Sequence, residues 1–180
     1  RLYWVVMNAL LILDKDAKTN LSEDLKQRLV SMLEGFGHRV DVYELGQHDA
    51  TPCIGCLLCF TRHPGECVSK DVVNELRKKV KEYSATIFLS PVIFGHYSAT
   101  MSSPINKGAG AHELQVLIGY GEDITEEEKS TFIDLTVKHR GKADIVHPGM
   151  DEQVDAYVSE SIEDNEHICR TIAGYPGVRR

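Results

Sequence analysis

The chain has 180 residues, 42% of them hydrophobic and 26% charged, a mix that supports one globular domain and excludes a disulfide-held miniprotein or a disordered segment. Lysine and arginine number 20 against 27 aspartates and glutamates, so the formal charge of −7 argues against nucleic acid and anionic lipid as partners. The first apolar runs break at Asn8 and Asp14, short of the about 20 residues that cross a bilayer, so no membrane span is expected; without a basic lead-in or a small-residue cleavage pattern, neither is a secretory signal.

In chain order, residues 2–13 are rich in Val, Leu and Ile and predict a strand buried on both faces, with Asn8 as its natural end. Asn20 or Ser22 caps a helix in which Leu21, Leu25, Leu29, Met32, Leu33 and Phe36 recur at helical spacing, and Gly35 and Gly37 stop it. Residues 39–45 alternate polar and apolar, as a half-exposed strand does. A loop over 46–70 is longer than most connections and therefore a functional candidate. The helix expected over 71–83 turns Val72, Val73, Leu76 and Val80 inward, and its basic run Arg77, Lys78, Lys79 and Lys81 reads as a solvated face.

Residues 85–92 form a third apolar strand, interrupted by Pro91, that leads into Phe94-Gly95-His96-Tyr97. Residues 101–112 read as a polar, Gly-rich connection, and 114–120 as the fourth strand. Thr125 with Glu128 makes a capping box on a helix running to Arg140 and closed by Gly141. A fifth strand over 142–147 and a final amphipathic helix over 151–173 complete the pattern. Five strands alternating with helices predict one doubly wound α/β domain over residues 1–180.

Four of the five cysteines, Cys53, Cys56, Cys59 and Cys67, crowd into the 46–70 loop. Disulfides explain this poorly, because cysteines three apart in a short loop rarely reach bridging geometry; reduced thiols make the cytoplasm the expected compartment. The spacing C-x2-C-x2-C-x7-C suits an arc of thiolates around a [4Fe–4S] cluster better than zinc, whose structural ligands usually come as two separated pairs. A zinc ion and a metal-free thiol loop stay open as alternatives. Cys169, within a helical pattern, reads as a small buried thiol.

The residues Cys53-Ile54-Gly55-Cys56-Leu57-Leu58-Cys59, then His63-Pro64-Gly65-Glu66-Cys67 and Lys70-Asp71, then Ser90-Pro91-Val92-Ile93-Phe94-Gly95, resemble the flavodoxin-like iron–sulfur flavoproteins and the related NAD(P)H-dependent FMN reductases. The resemblance is close over 19–101 and elsewhere rests on the order of elements. It implies a five-stranded parallel sheet in the order 2-1-3-4-5 with helices on both faces. It also implies FMN, held at its phosphate by Thr19, Asn20 and Ser22 and along its ring by Pro91, Val92, Ile93, Phe94, Gly95 and His96, with the four loop cysteines as cluster ligands. The chain departs from the family at the phosphate loop. A Gly-Ser-x-Arg type segment is replaced by apolar Leu10, Leu11, Ile12 and Leu13 followed by Asp14 and Asp16, company that an anion disfavours.

On this reading the chain is an FMN-dependent oxidoreductase that exchanges electrons between flavin and cluster, with NAD(P)H or a ferredoxin-like protein as redox partner and a homo-oligomer as its assembly. Two alternatives remain: an NAD(P)H-dependent FMN or quinone reductase whose loop holds no cluster, and a flavin-free redox or metal-binding module. No serine nucleophile elbow, zinc-protease helix or phosphate-binding Walker loop is present, so hydrolysis has no support.

Overall fold

The computed structural model describes residues 6–63, 66–107, 114–140, 153–175 and 178. Its elements are β1 (Asn8–Asp14), α1 (Asn20–Gly35), β2 (Arg39–Leu45), α2 (Leu58–Thr61), α3 (Val72–Lys79), β3 (Ala85–Ile93), β4 (His96–Tyr97), α4 (Ala99–Asn106), β5 (Leu114–Tyr120), α5 (Glu126–Arg140), β6 (Gln153–Ser159) and α6 (Ile162–Ala173). The sheet order is β2-β1-β3-β5-β6, every neighbouring pair on this path is parallel, and β4 pairs only with β3, antiparallel. Five parallel strands in that order make the flavodoxin-like doubly wound sheet, whose ligand crevice lies outside the carboxyl ends of β1 and β3, where the winding reverses.

The alternation of side chains along β1 builds both halves of the core. Ala9, Leu11 and Leu13 face one side and pack with Leu21, Leu25, Leu29 and Leu33 of α1 and with Ile168 and Ile172 of α6. Leu10 and Ile12 face the other, with Val73, Leu76, Met101, Ile105 and Phe132 from α3, α4 and α5. Cys169 lies buried in the first cluster, and burial pushes its thiol up to about 11, so it is the inert thiol expected. Gly119 of β5 leaves the second face bare: a Cβ there would lie 2.6 Å from Val92 and 3.1 Å from the Phe132 ring, so glycine lets β3 and α5 close over the strand.

Several expected boundaries move. Asn8 begins β1 rather than ending it; its N–H meets Ser84 Oγ and its amide donates to the Glu82 carbonyl, which spends its polarity at the strand entrance. The turn that matters after β1 therefore starts at Asp14. Thr19, not Asn20 or Ser22, caps α1, while Ser22 supplies the return bond of a capping box. The 101–112 connection contains α4, which Ser98 caps by accepting from the Met101 N–H and which buries Met101 and Ile105, so tertiary burial overrides the poor helix propensity around Pro104. The helix expected over 151–173 begins with a strand instead. Val154, Ala156 and Val158 alternate with polar neighbours and pair with β5, and helix follows only from Ile162. The strand expected over 142–147 and the stop at Gly141 lie outside the described residues. Thr125 and Glu128 form the expected box, with Oε2 of Glu128 accepting from the Thr125 N–H at 2.9 Å.

Candidate functional site

Parallel strands deliver their following loops to one edge, so the 14–19 turn, the cysteine loop and the Phe94 hairpin all leave the same rim. The hairpin carries an aromatic in a left-handed conformation. Val92 pairs with Tyr97 and Ile93 with His96, which leaves Phe94 and Gly95 as a two-residue turn with φ of +50° and +74°. Positive φ at both positions is the mirror-type turn that matches strand twist, and it favours Asn-Gly or Gly-Gly over an aromatic. Phe94 nevertheless holds the first position and is 91% exposed, beside exposed Ile93. A Cβ at Gly95 would stand 2.9 Å from Thr131, so the tip rests directly on α5. Pro91 and Val92 are half-buried behind it, and His96 is exposed, its ring 4.1 Å from that of Tyr97.

The cysteine loop is clasped at its base. Asp71, the cap of α3, accepts from the Thr51 N–H at 2.9 Å and from the Lys107 ammonium at 2.5 Å, while Ser103 Oγ donates to the Thr51 carbonyl at 2.8 Å. The Lys107 and Asp71 side chains are only 1% and 9% exposed. Burial pushes the Asp71 carboxyl up, but the Lys107, Thr51 and Asn74 donors outweigh it and hold it below the ordinary carboxylate range. These bonds join the two ends of the loop to each other and to α4, the helix that follows the hairpin.

Within the loop, Cys53 and Cys56 are exposed and Cys59 and Cys67 half-buried. Gly55 at φ +65° and Leu57 at φ +57° turn the backbone sharply before α2, which carries Cys59. Asn74 brackets Cys67, accepting its N–H at 3.1 Å and donating to its carbonyl at 3.4 Å. Burial pushes the Cys67 thiol up, and the Ser69 N–H and hydroxyl with the Lys107 charge more than reverse it. A cleft of about 740 Å3 opens over this thiol, lined among others by His63, Lys70, Asp71, Asn74 and Lys78. Among the described residues no three Cys, His, Asp or Glu side chains converge tightly enough to hold a metal ion, so the cysteines share a loop without forming a ready cage. Four thiols on one clasped loop fit a cluster by donor chemistry, and the loop would have to draw in around it.

At the 14–19 turn, Thr19 and Ser22 spend their hydroxyls on each other's N–H groups, and Asn20 is the exposed first residue of α1. Sequence reasoning marked Asp14 only as unfavourable to an anion, without its partners, and missed two further groups. Asp14, buried at the end of β1, accepts from the Ser98 hydroxyl at 2.6 Å, and the Ser98 N–H donates to Ser90 Oγ at 2.8 Å, which ties β1, β3 and α4 together at the switch point. Tyr120 donates to the Ala17 carbonyl at 2.8 Å and pins the turn from β5. The Asp71–Lys107 pair is the second of the missed groups. A carboxylate directly after an apolar strand was the one local signal available, and it pointed only to Asp14.

Fold and rim thus define a flavodoxin-like α/β protein whose strand-end loops gather at the β1–β3 switch. Residues 7–115 match the family described as NADPH-dependent FMN reductase, and the chain belongs to that family. Among proteins of known name, the chain is similar to an iron–sulfur flavoprotein of Archaeoglobus fulgidus, 30% identical over 146 residues, a match that covers 75% of this chain and 64% of that protein. It is also similar to an iron–sulfur flavoprotein of Methanocaldococcus jannaschii, 38% identical over 65 residues, 36% of this chain and 33% of that one. The chain therefore matches less than two thirds of the length of either relative. Among solved structures it is similar to NAD(P)H:quinone oxidoreductase from Methanothermobacter marburgensis, with TM-score 0.68, 15% identity and coverage of 94% and 98% of the two chains. It also resembles azoreductase from Bacillus anthracis, with TM-score 0.61 and 11% identity over 94% of this chain and all of that one. These structural likenesses establish the fold. No helix among the described residues is long and apolar enough to cross a membrane.

Proposed function

We propose that the chain is a flavin-dependent oxidoreductase, reduced by a nicotinamide, whose loop cysteines Cys53, Cys56, Cys59 and Cys67 hold a [4Fe–4S] cluster. The observation that carries the flavin half is Phe94, an aromatic side chain kept in a left-handed turn and almost wholly in water at the switch-point rim. That conformation costs a non-glycine residue about 1 kcal/mol or more. Packing within the chain does not repay the strain, since the ring touches solvent, whereas a flat ligand ring laid on Ile93 and Phe94 would. The spacing of the cysteines, the clasped loop and the family relatives named iron–sulfur flavoprotein support the cluster half.

When bound, a flavin takes electrons in pairs or singly and a cluster takes them one at a time, so their pairing converts a hydride into single electrons. The chain's own parts have narrower tasks. The Phe94-Gly95 turn, braced on α5, presents the apolar wall; the Asp71 clasp keeps the cysteine loop at the same rim; Asp14 and Ser98 lock the switch point between them. The reading takes the protein as a homo-oligomer, since a second copy would cover the apolar tip at Ile93 and Phe94.

The test is anaerobic mixing of the protein and flavin with NADH or NADPH. Flavin absorbance should bleach, and Phe94→Gly should weaken flavin binding by about three- to tenfold through loss of the aromatic wall. The same variant should leave thermal stability unchanged or raised, because glycine accepts positive φ without strain. Absence of nicotinamide-driven bleaching rejects the activity, and unaltered flavin affinity in the variant rejects the wall.

A further inference from the structure

We propose that the flavin site is closed to the flavin's phosphate, so that riboflavin binds at least as tightly as FMN. The inference rests on the flavin reading above and narrows its ligand. A phosphate at the start of α1 needs free N–H donors, uncommitted positive charge and room. At the 14–19 turn the chain itself uses several of the donors, pairs the cations and fills the space.

The chain's own oxygens take the Asp16, Thr19 and Ser22 N–H groups, and Asp16 also holds Gln47 beyond β2. Asp14 Oδ1 accepts from the Asp16 N–H at 3.0 Å, Asp16 Oδ2 from the Gln47 N–H at 2.7 Å, and the Thr19 and Ser22 hydroxyls from each other's N–H at 2.9 and 3.1 Å. The cations are paired as well. Lys15 meets Asp49 at 2.6 Å, Lys18 meets Glu44 at 2.8 Å, and Lys26 bridges Glu23 at 2.7 Å and Glu44 at 3.6 Å. Asp14, Asp16, Glu23, Glu44 and Asp49 therefore outnumber the three lysines around this turn, and a dianion would enter a field of its own sign.

Space gives the same answer. The cleft at this helix start, lined by Asp14, Lys18, Ser22, Glu23, Leu89 and Tyr120 among others, holds about 10 Å3, room for a single water at most. It is not a collapsed loop awaiting a ligand. Asp14 is 3% exposed with both oxygens bonded, and the Tyr120 hydroxyl fixes the Ala17 carbonyl from the neighbouring strand. The carboxylates of Asp14 and Asp16 stand at the turn before α1, while the hairpin tip that would receive the ring is exposed at Ile93 and Phe94.

Quenching of flavin fluorescence, titrated with riboflavin and with FMN at low and moderate salt, measures the discrimination. Riboflavin should show a dissociation constant equal to or below that of FMN. Asp16→Asn, an exposed position that keeps a hydrogen-bond acceptor and loses the charge, should tighten FMN by about three- to tenfold and leave riboflavin unchanged. FMN binding measurably tighter than riboflavin in the wild-type protein would overturn the inference and leave the flavoprotein reading standing. An Asp16→Asn variant with the wild-type ratio would overturn the electrostatic argument. Binding of neither flavin would overturn both readings.

Discussion

Replacing Asp71 by alanine should lower the free energy of unfolding by about 3–5 kcal/mol, among the largest effects a single substitution can have here. The reason is the partner left behind. Lys107 is buried, its ammonium sits 2.5 Å from the Asp71 carboxylate, and removing that carboxylate strands a charge out of water. The same change frees the Thr51 and Asn74 N–H groups, so it opens the base of the cysteine loop and uncaps α3 together. Urea denaturation of the two proteins checks the magnitude, and the double variant Asp71→Ala, Lys107→Met should recover a large part of the loss, because an apolar pair leaves nothing charged unpaired.

The effect should depend on pH in a defined direction. Burial works against the Asp71 carboxylate, yet its donors prevail and hold its folded pKa below the unfolded value. Its contribution is therefore complete above about pH 4 and is lost as pH falls through the lower folded value. The difference between wild type and Asp71→Ala should shrink in acid and stay level from about pH 5 to neutrality. A loss under about 1 kcal/mol at neutral pH would mean the pair is solvated and the clasp is not formed.

Cys59→Ser should remove the cluster outright and leave the fold and the flavin site in place. Cys59 sits on α2 in the middle of the cysteine run, and a serine hydroxyl at neutral pH is a poor, protonated substitute for a soft thiolate. The three remaining thiols cannot hold each iron. Iron content should fall from about four per chain to near zero, with loss of the broad visible absorbance of the cluster. Reduction of one-electron acceptors should fall much more than two-electron bleaching of flavin. Retention of a full cluster in this variant would remove Cys59 from the ligand set.

Local chemistry made much of this molecule legible in advance. The apolar runs that became β1, β3 and β5 have both faces buried, so composition alone marked them, and the Thr125–Glu128 box is a four-residue signal that does not depend on its surroundings. Edges were harder. β6 is an edge strand whose half-buried residues carry a weak alternation that competes with a helical reading, and α4 exists because Met101 and Ile105 have a core to enter. The long-range polar links had no local signature at all: Asp14 meets Ser98 across 84 positions, and Asp71 meets Lys107 across 36. The cysteine run and the Pro91–His96 segment were readable because their chemistry is compact in sequence. The closure of the phosphate turn was foreshadowed by Asp14 and Asp16, but its completeness depended on lysines whose partners lie on β2 and beyond.

The central claim, a cluster and a flavin on one rim, is tested most directly by assaying iron, acid-labile sulfide and bound flavin on wild-type protein prepared without oxygen and supplied with riboflavin or FMN. About four iron, four sulfide and one flavin per chain are expected, with the cluster absorbance superimposed on that of the flavin. Protein that carries no iron and sulfide after reconstitution, or that takes a single zinc ion in their place, would contradict it.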